Sequence, residues 1–193
     1  MLAHPDSTTR QQVLDENEPI THRDPVRIGQ LFWGIALGFV PGGGGARLVG
    51  PAARAAEEAA SEFWTLGWAA RGQKIEGART AEMPGMRLPN SFPVVDHLAD
   101  GGAVTSIKSI DLNAATYQDA GRLAYRINDY IGKLADFQGA KYGNVTIKPK
   151  DITGRVLDIV VPKGSMTAAQ KTTLDIGIRR ASDAGIVMRI TPF

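Results

Sequence analysis

Alternating apolar and polar residues predict a β-hairpin in the middle of the chain. Residues 92–98 form a short run rich in apolar and β-branched side chains, and residues 100–102, Asp-Gly-Gly, are typical of a tight turn. Residues 103–112 then alternate, with Ser106 and Lys108 on the same face. Two such runs around a glycine-rich turn indicate a pair of antiparallel strands, which brings side chains of the first run beside those of the second.

Helical periodicity and further apolar runs extend this hairpin into a mixed domain. Residues 117–137 repeat apolar side chains at helical spacing, and residues 167–184 do the same. Three further runs are typical of strands: residues 144–152, 155–161 and 186–190. With a helix beginning near residue 71, this order of elements predicts an α/β or α+β fold with a mixed sheet.

The chain before residue 71 has a different pattern and is predicted to form a separate, partly helical segment. Residues 1–26 are polar, residues 28–40 form an apolar run, and residues 50–70 are rich in alanine. A spanning helix needs about 20 apolar residues, so the run is too short to cross a bilayer as a helix. Either it contacts a membrane or membrane protein, or it packs as a buried helix. We therefore divide the chain into residues 1–70 and residues 71–193.

Composition narrows the chemistry that the chain can perform. None of its 193 residues is a cysteine, which excludes disulfide scaffolds, zinc fingers and cysteine nucleophiles. With three histidines, a metal site made of histidine alone is improbable. A bound metal would therefore need carboxylate ligands. The formal net charge is +2, and so weak a charge does not by itself indicate a nucleic-acid partner. The polar N-terminus does not have the pattern of a signal peptide.

Four residues could form a catalytic site. Asp96 lies in the first strand of the hairpin, Ser106 and Lys108 lie in the second, and Glu76 lies upstream. A carboxylate there can hold a divalent cation, the lysine can stabilise charge on a phosphate oxygen, and the serine can complete the shell of the cation. Spacing alone favours a simpler interpretation, in which Asp96 flanks an exposed turn and Lys108 is a solvated strand residue.

The other chemical candidates have structural interpretations. The chain has no P-loop, no G-x-S-x-G motif and no H-E-x-x-H motif. His97 could act as a general base, but it lacks an evident orienting partner, and we interpret it as a strand-edge or surface histidine. Asp111 falls on the face opposite Lys108, which favours a structural role. Gln73 is interpreted as a packing or supporting residue.

Three motifs after residue 71 resemble those of a bacterial protein family. They are G-Q-x-I-E at residues 72–76, F-P-x-V-D at residues 92–96 and T-S-I-K-S-I-D-L at residues 105–112. Together they resemble the nuclease domain at the C-terminus of contact-dependent growth inhibition proteins (CdiA effectors). That family has a PD-(D/E)XK restriction-endonuclease-like fold, so the resemblance implies a mixed sheet flanked by helices.

The resemblance also implies a role for each candidate residue. Asp96 corresponds to the metal-binding carboxylate, and Glu76 to the helix carboxylate that completes the site. Ser106 and Lys108 stand where the wider superfamily has (D/E)-x-K, with Ser106 as a further ligand. The site then has one carboxylate fewer, and zinc, magnesium and manganese are all compatible with it. A nuclease also needs cationic phosphate contacts, and the candidates are Lys148, Lys150 and Lys163.

The activity that the resemblance implies is that of a metal-dependent endonuclease toxin acting in the cytoplasm of a target cell. DNA is the favoured substrate because the S-I-K motif is most similar to DNA-cleaving members, and tRNA is the alternative. A non-enzymatic nucleic-acid-binding module and a structural domain of a larger secreted protein are the competing classes. The family further implies secretion within a larger cell-surface effector, a cognate immunity protein, and contact of residues 1–70 with an inner-membrane receptor.

Overall fold

A five-stranded mixed sheet forms the centre of the protein. The structure is a computed structural model that describes residue 58, residues 60–164 and residues 166–193. Its strands are β1 (Met86–Arg87), β2 (His97–Leu98), β3 (Ala103–Ser109), β4 (Ala140–Tyr142), β5 (Val145–Ile147), β6 (Gly154–Val161) and β7 (Ile186–Pro192). Its helices are α1 (Trp68–Ala81), α2 (Ala115–Gln118), α3 (Ala120–Ala135) and α4 (Ala168–Asp183), with a 3₁₀ turn at Pro149–Asp151.

The central sheet has the strand order β1-β2-β3-β6-β7, and β4 and β5 form a separate hairpin. The strands β1, β2 and β3 are antiparallel neighbours, whereas β3, β6 and β7 run parallel. Parallel neighbours need crossover connections, and α3 and α4 lie in those connections. The predicted α+β fold with a mixed sheet flanked by helices is therefore confirmed.

One face of the sheet is covered by α3 and α4. The buried stripe of α3 consists of Leu123, Ile127, Ile131 and Leu134, at the spacing that predicted the helix. These side chains share one core cluster with residues of β6 and β7. The helix begins after Asp119, whose carboxylate accepts a hydrogen bond from the backbone N–H of Arg122 at 2.9 Å.

The opposite face is covered by α1. Its Ile75 is fully buried against Ile107 of β3 and Val160 of β6. Arg79 of the same helix donates from Nη2 to the fully buried Asp158 of β6 at 3.0 Å, which fixes the helix across the sheet. These contacts matter for function because α1 also carries Glu76.

Residues just before the predicted boundary at 70/71 also pack on this domain. The Trp64 indole N–H donates to the carbonyl of Phe193 at 3.0 Å, and the rings of Phe63 and Phe193 stack 5.9 Å apart. The helix α1 begins at Trp68 and continues across the boundary. The division into residues 1–70 and 71–193 remains a prediction, because most of the first segment lies outside the described residues.

The structure corrects three details of the predicted strands. The first hairpin strand is only two residues long, because the chain at residues 92–95 turns instead of pairing. The predicted strand at residues 144–152 ends at Ile147, since Pro149 begins a 3₁₀ turn. His97 is buried, with 2 % of its surface exposed, because β1 pairs on the outer side of β2. It is therefore neither a surface nor a strand-edge residue.

The apolar run at residues 28–40 lies outside the described residues. Its two alternative roles, contact with a membrane or membrane protein and packing as a buried helix, therefore stay predictions. Of the predicted alanine-rich helix at 50–70, residues 60–63 are helical, and a turn separates them from α1. Among the described helices, none has the length and apolar character needed to cross a membrane.

Candidate active site at the open edge of strand β3

A cleft of about 710 Å³ lies where the outer edge of β3 is left uncovered. The short strand β2 pairs only with Val104 and Thr105, so the second half of β3 has no strand on this edge, although β6 pairs along the other edge. Helices α1 and α3 contribute the other walls. The walls include Gln73 and Glu76 from α1, Asp96 and Lys108 from the hairpin, and Arg126 and Tyr130 from α3.

Asp96 lies at the point where the β2–β3 ladder stops. Its backbone N–H still donates to the Thr105 carbonyl at 2.8 Å. Its carboxylate oxygen Oδ2 then accepts the backbone N–H of Ile107 at 2.6 Å and the ammonium of Lys108 at 3.1 Å. The side chain therefore replaces a strand partner at Ile107, and the same oxygen holds the lysine.

The backbone just before Asp96 is strained. Val94 has φ +66°, a conformation that a β-branched residue rarely adopts and that costs about 1–3 kcal/mol. The Ser106 hydroxyl donates to the Val94 carbonyl at 2.7 Å, and Ser106 is almost fully buried. Ser106 thus stabilises the turn that carries Asp96 to the cleft.

Glu76 faces the same cleft from α1. Only 13 % of its side chain is exposed, and its Oε1 lies 3.5 Å from Nη2 of Arg87. This oxygen is buried and accepts no well-aligned hydrogen bond from the described residues. A buried carboxylate oxygen without such a donor is unusual in a stable protein and is a suitable ligand for a cation.

Burial makes both carboxylates harder to ionise. It raises the pKa of Glu76, and the negative charge of Asp96 raises it further, against the smaller opposing effects of Arg87 and Lys108. Burial also raises the pKa of Asp96, although Lys108 and the Ile107 N–H act in the opposite direction. Each group is therefore destabilised in its charged form, and a bound cation would relieve that cost.

The donor set fits a divalent cation that keeps part of its shell from water or substrate. Hard cations prefer carboxylate oxygens, and Glu76 and Asp96 supply them at one cleft. Within the described residues no group of three or more aspartate, glutamate or histidine side chains could hold a metal ion. Two carboxylates leave coordination positions for other oxygen ligands, which suits a catalytic site better than a closed structural one.

The structure brings three of the four predicted site residues to the cleft wall. Glu76, Asp96 and Lys108 line it, whereas Ser106 does not, and its hydroxyl donates to the carbonyl of Val94. Gln73 is exposed on the wall, so it is not a core packing residue. A role for Ser106 as a metal ligand stays a prediction and would require its hydroxyl to leave the Val94 carbonyl.

Asp111 has the contacts of a structural residue. Its Oδ1 accepts the backbone N–H of Asn113 at 3.0 Å, which stabilises the turn after β3. Its Oδ2 lies 3.5 Å from Nη1 of Arg71, whose guanidinium also stacks over Trp64 at 5.4 Å. Asp111 therefore supports the wall of the cleft through Arg71, which lines it.

The three predicted phosphate-binding lysines do not cluster around the cleft. Lys148 and Lys150 lie before β6, near residues 151–153, which contact the β2–β3 turn at the far end of β3 from Lys108. Lys163 follows the other end of β6, which pairs with the end of β3 that carries Lys108. Their predicted role in substrate binding stays a prediction.

Arginine and tyrosine residues at the cleft were not predicted from the sequence. Arg71 and Arg126 line it, and the Arg126 guanidinium lies 5.8 Å from the centre of the Tyr130 ring. Tyr117 lines the same cleft beside them. The available signal was the spacing of Arg126 and Tyr130, four residues apart on one helix, but such spacing is common and indicates no chemistry by itself.

Fold and cleft together define a class of protein: an α+β domain of the restriction-endonuclease type, with a carboxylate–lysine pair at an open strand edge and a second carboxylate on the adjacent helix. A family model described as the CDI toxin restriction endonuclease-like domain, where CDI stands for contact-dependent growth inhibition, matches residues 71–191. The chain belongs to this family.

A solved structure supports the same assignment. The chain is similar to a CdiA-CT/CdiI toxin and immunity complex from Yersinia pseudotuberculosis, with 27% sequence identity and a TM-score of 0.56. The match covers 66% of this chain and 99% of that chain. No curated protein matches. The predicted resemblance to a CdiA C-terminal toxin domain is thus confirmed.

Proposed function

We propose that this toxin domain is a metal-dependent endonuclease that hydrolyses phosphodiester bonds, with DNA as its substrate. The single observation that carries the proposal is the contact of Asp96 Oδ2 with Lys108 Nζ at 3.1 Å, in a cleft that also holds Glu76. In this arrangement the two desolvated carboxylates can hold a divalent cation, and the ammonium beside them can stabilise an anionic phosphate.

Asp96 and Glu76 would hold the cation, and magnesium, zinc and manganese are the candidates. When bound, it would supply Lewis-acid stabilisation of phosphate charge and a lowered pKa for a coordinated water. Ser106 supports the arrangement through Val94, and its direct ligation remains part of the proposal to be tested. No third carboxylate ligand is available among the described residues, so water and substrate oxygens would complete the shell.

Lys108 would act on the substrate itself. Its side chain is 29 % exposed and reaches the cleft beside Asp96. There the ammonium can donate to a phosphate oxygen and neutralise the charge that grows as the phosphorus–oxygen bond breaks. Asp96 holds Lys108 in place, and Arg87 partly offsets the charge of Glu76.

The proposal is tested by incubating the purified chain with supercoiled plasmid and, separately, with total tRNA. Each incubation is repeated with magnesium, manganese, zinc and a chelator. Plasmid cleavage that requires a cation supports the proposal, whereas cleavage of tRNA alone would assign the alternative substrate. DNA is proposed first because of the resemblance of the S-I-K motif to DNA-cleaving toxins. Binding without cleavage under every condition would favour the non-enzymatic module.

The biological setting follows from the family. We infer that the domain is delivered by a larger cell-surface effector, acts in the cytoplasm of the target cell, and is neutralised in its producer by a cognate immunity protein. The similar structure is a toxin and immunity complex, which supports such a partner. Residues 1–70 would contact an inner-membrane receptor. Co-purification with the product of the adjacent downstream gene, followed by a cleavage assay, tests the partner.

A further inference from the structure

A second depression adjoins the proposed active cleft on the α2–α3 side. Its volume is about 450 Å³, and its walls include Tyr117, Arg122, Tyr125 and Arg126. We call these four residues the tyrosine–arginine surface. Tyr117 and Arg126 also line the main cleft, so the surface is continuous with the site that holds Asp96 and Lys108.

The spacing along α3 explains why Arg122 and Tyr125 face solvent, whereas Tyr117, on α2, is half-buried against the core. Arg122 lies on the side of the helix away from the buried stripe that begins at Leu123, and Arg126, four residues later, lies at the flank of that stripe and is half-buried. Tyr125 lies beside them with 71 % of its surface exposed, one of the most exposed aromatic residues among those described. The fold therefore gains little packing from Tyr125, and its large ring remains available for a ligand.

The charges on this surface are suited to an anionic chain. Arg126 is 43 % exposed and stacks over Tyr130, and its partner Asp129 is 3.7 Å away and also pairs with Lys133. Asp119 is the acidic residue that lines the depression, and its Oδ1 accepts a hydrogen bond from the backbone N–H of Arg122. Two guanidinium groups and an exposed ring thus line one depression beside the cleft.

We propose that the tyrosine–arginine surface binds a single-stranded segment of the nucleic-acid substrate as it leaves the cleft. A nucleobase stacks on the ring of Tyr125, and the adjoining phosphates contact Arg122 and Arg126. Exposed aromatic rings between cationic side chains are the common way in which proteins hold unpaired nucleotides. A duplex keeps its base faces stacked inside the helix, so it cannot use the ring in this way.

A second exposed aromatic residue at the cleft supports the binding of an unpaired nucleotide strand there. Trp68, the first residue of α1, lines the cleft with 82 % of its surface exposed. One exposed ring therefore lies on the α1 wall of the cleft, and Tyr125 lies in the depression beyond its α3 wall. This inference rests on the proposed function, because it takes the cleft to be the site of nucleic-acid cleavage.

The test measures binding separately from cleavage. The full chain with Asp96→Asn is mixed, in chelator, with a fluorescein-labelled oligonucleotide that is either single-stranded or annealed to its complement, and anisotropy gives Kd. Adding Tyr125→Ala is expected to weaken single-strand binding about tenfold, with less than a twofold change for the duplex. Tyr125→Phe keeps the ring and should bind as the parent does. Arg122→Ala should weaken binding with a smaller dependence on salt.

Arg179→Ala is the matched control, because Arg179 is an exposed cation on α4 that lines neither the cleft nor the depression. Unchanged single-strand affinity in Tyr125→Ala, equal loss for the duplex, or equal loss in Tyr125→Phe would each overturn the inference. So would a Tyr125→Ala chain that binds the oligonucleotide normally but loses the immunity protein. Plasmid cleavage by the wild-type chain is scored separately, so a failure of the proposed function is recognised on its own.

Discussion

The carboxylate of Asp96 accepts the backbone N–H of Ile107 at 2.6 Å, in the place where a neighbouring strand would supply a carbonyl. The contact ties the acidic group to the frame of β3, and the next residue, Lys108, reaches back to the same oxygen. Position 107 thus fixes the carboxylate, and position 108 supplies the charge beside it. The backbone N–H of Ile107 therefore fixes the position of the Asp96 carboxylate, and this explains how Asp96 and Lys108 stay in contact although β2 is short.

Asp96→Asn and Lys108→Met should each reduce cleavage by on the order of 100-fold or more, because they remove the cation ligand or the charge that stabilises the phosphate. Asparagine can still accept the Ile107 N–H, so the first variant should keep its fold. The measurement is the initial rate of plasmid cleavage, with circular dichroism to check folding. Arg179→Ala, an exposed position on α4 that does not line the cleft, is the control and should cleave at the wild-type rate. Full activity in either site variant would refute the assignment.

Ser106→Ala separates a positioning role from direct ligation. If the hydroxyl mainly holds the Val94 carbonyl, its loss should lower the free energy of unfolding of the metal-free chain by about 1–2 kcal/mol. Activity would fall with it, because Val94 precedes the segment that carries Asp96. Urea unfolding in chelator gives the measurement. Ser109→Ala, on the same strand, is the control and should change stability by less than about 0.5 kcal/mol. Unchanged stability with a lost response to cations would assign Ser106 as a ligand.

A divalent cation should raise the unfolding temperature of the chain, because it binds the folded state and relieves two buried carboxylates. At a concentration about 100 times its Kd, the gain is about 2.7 kcal/mol. Thermal unfolding with increasing magnesium checks this, and magnesium is preferred to zinc, which also binds histidines of unfolded chains. The increase should disappear in Asp96→Asn. An equal increase in that variant would place the cation elsewhere.

The sequence predicted the fold better than it predicted the site. Long periodic segments such as α3 were found because their buried stripe repeats at helical spacing. The pair of Asp96 and Lys108 was found through a motif, since spacing alone favoured solvated residues. The turn at Val94 was missed because nothing in the sequence marks a valine for positive φ, a conformation that tertiary contacts impose. Arg126 was missed because cleft walls join residues far apart in sequence.

Two helical glycines should respond in opposite ways to alanine. A Cβ at Gly177 in α4 would lie 2.8 Å from Cγ2 of Ile127, so Gly177→Ala must displace the α3–α4 packing and should destabilise by about 1–3 kcal/mol. At Gly132 in α3 nothing lies within 4 Å of the added carbon, so Gly132→Ala should stabilise by about 0.5–1 kcal/mol through helix propensity. Urea unfolding of both variants is the measurement. Equal effects of the two substitutions would contradict the close packing of α3 on α4.

Glu76→Gln should stabilise the metal-free chain at neutral pH and have little effect in acid. The pKa of Glu76 is raised in the folded state, so the folded chain binds a proton more readily than the unfolded chain. Stability contributed by this group is therefore present below its unfolded pKa and is lost as the pH rises through its folded pKa. Glutamine carries no charge at either pH and avoids that loss.

The measurement is urea unfolding of the wild-type and Glu76→Gln chains in chelator, at about pH 4 and about pH 7.5. The variant should be the more stable of the two at the higher pH, and the difference should shrink at the lower pH, where Glu76 is largely protonated in both states. Asp96 is present in both chains, so its own burial cancels in the comparison. The substitution also removes the repulsion between the charges of Glu76 and Asp96, which acts in the same direction as burial. A variant that is less stable at the higher pH would mean that the ion pair with Arg87 outweighs burial, and that Glu76 is held as a structural residue. The cleavage rate should nevertheless fall in Glu76→Gln, because the charge that costs stability is the one that holds the cation.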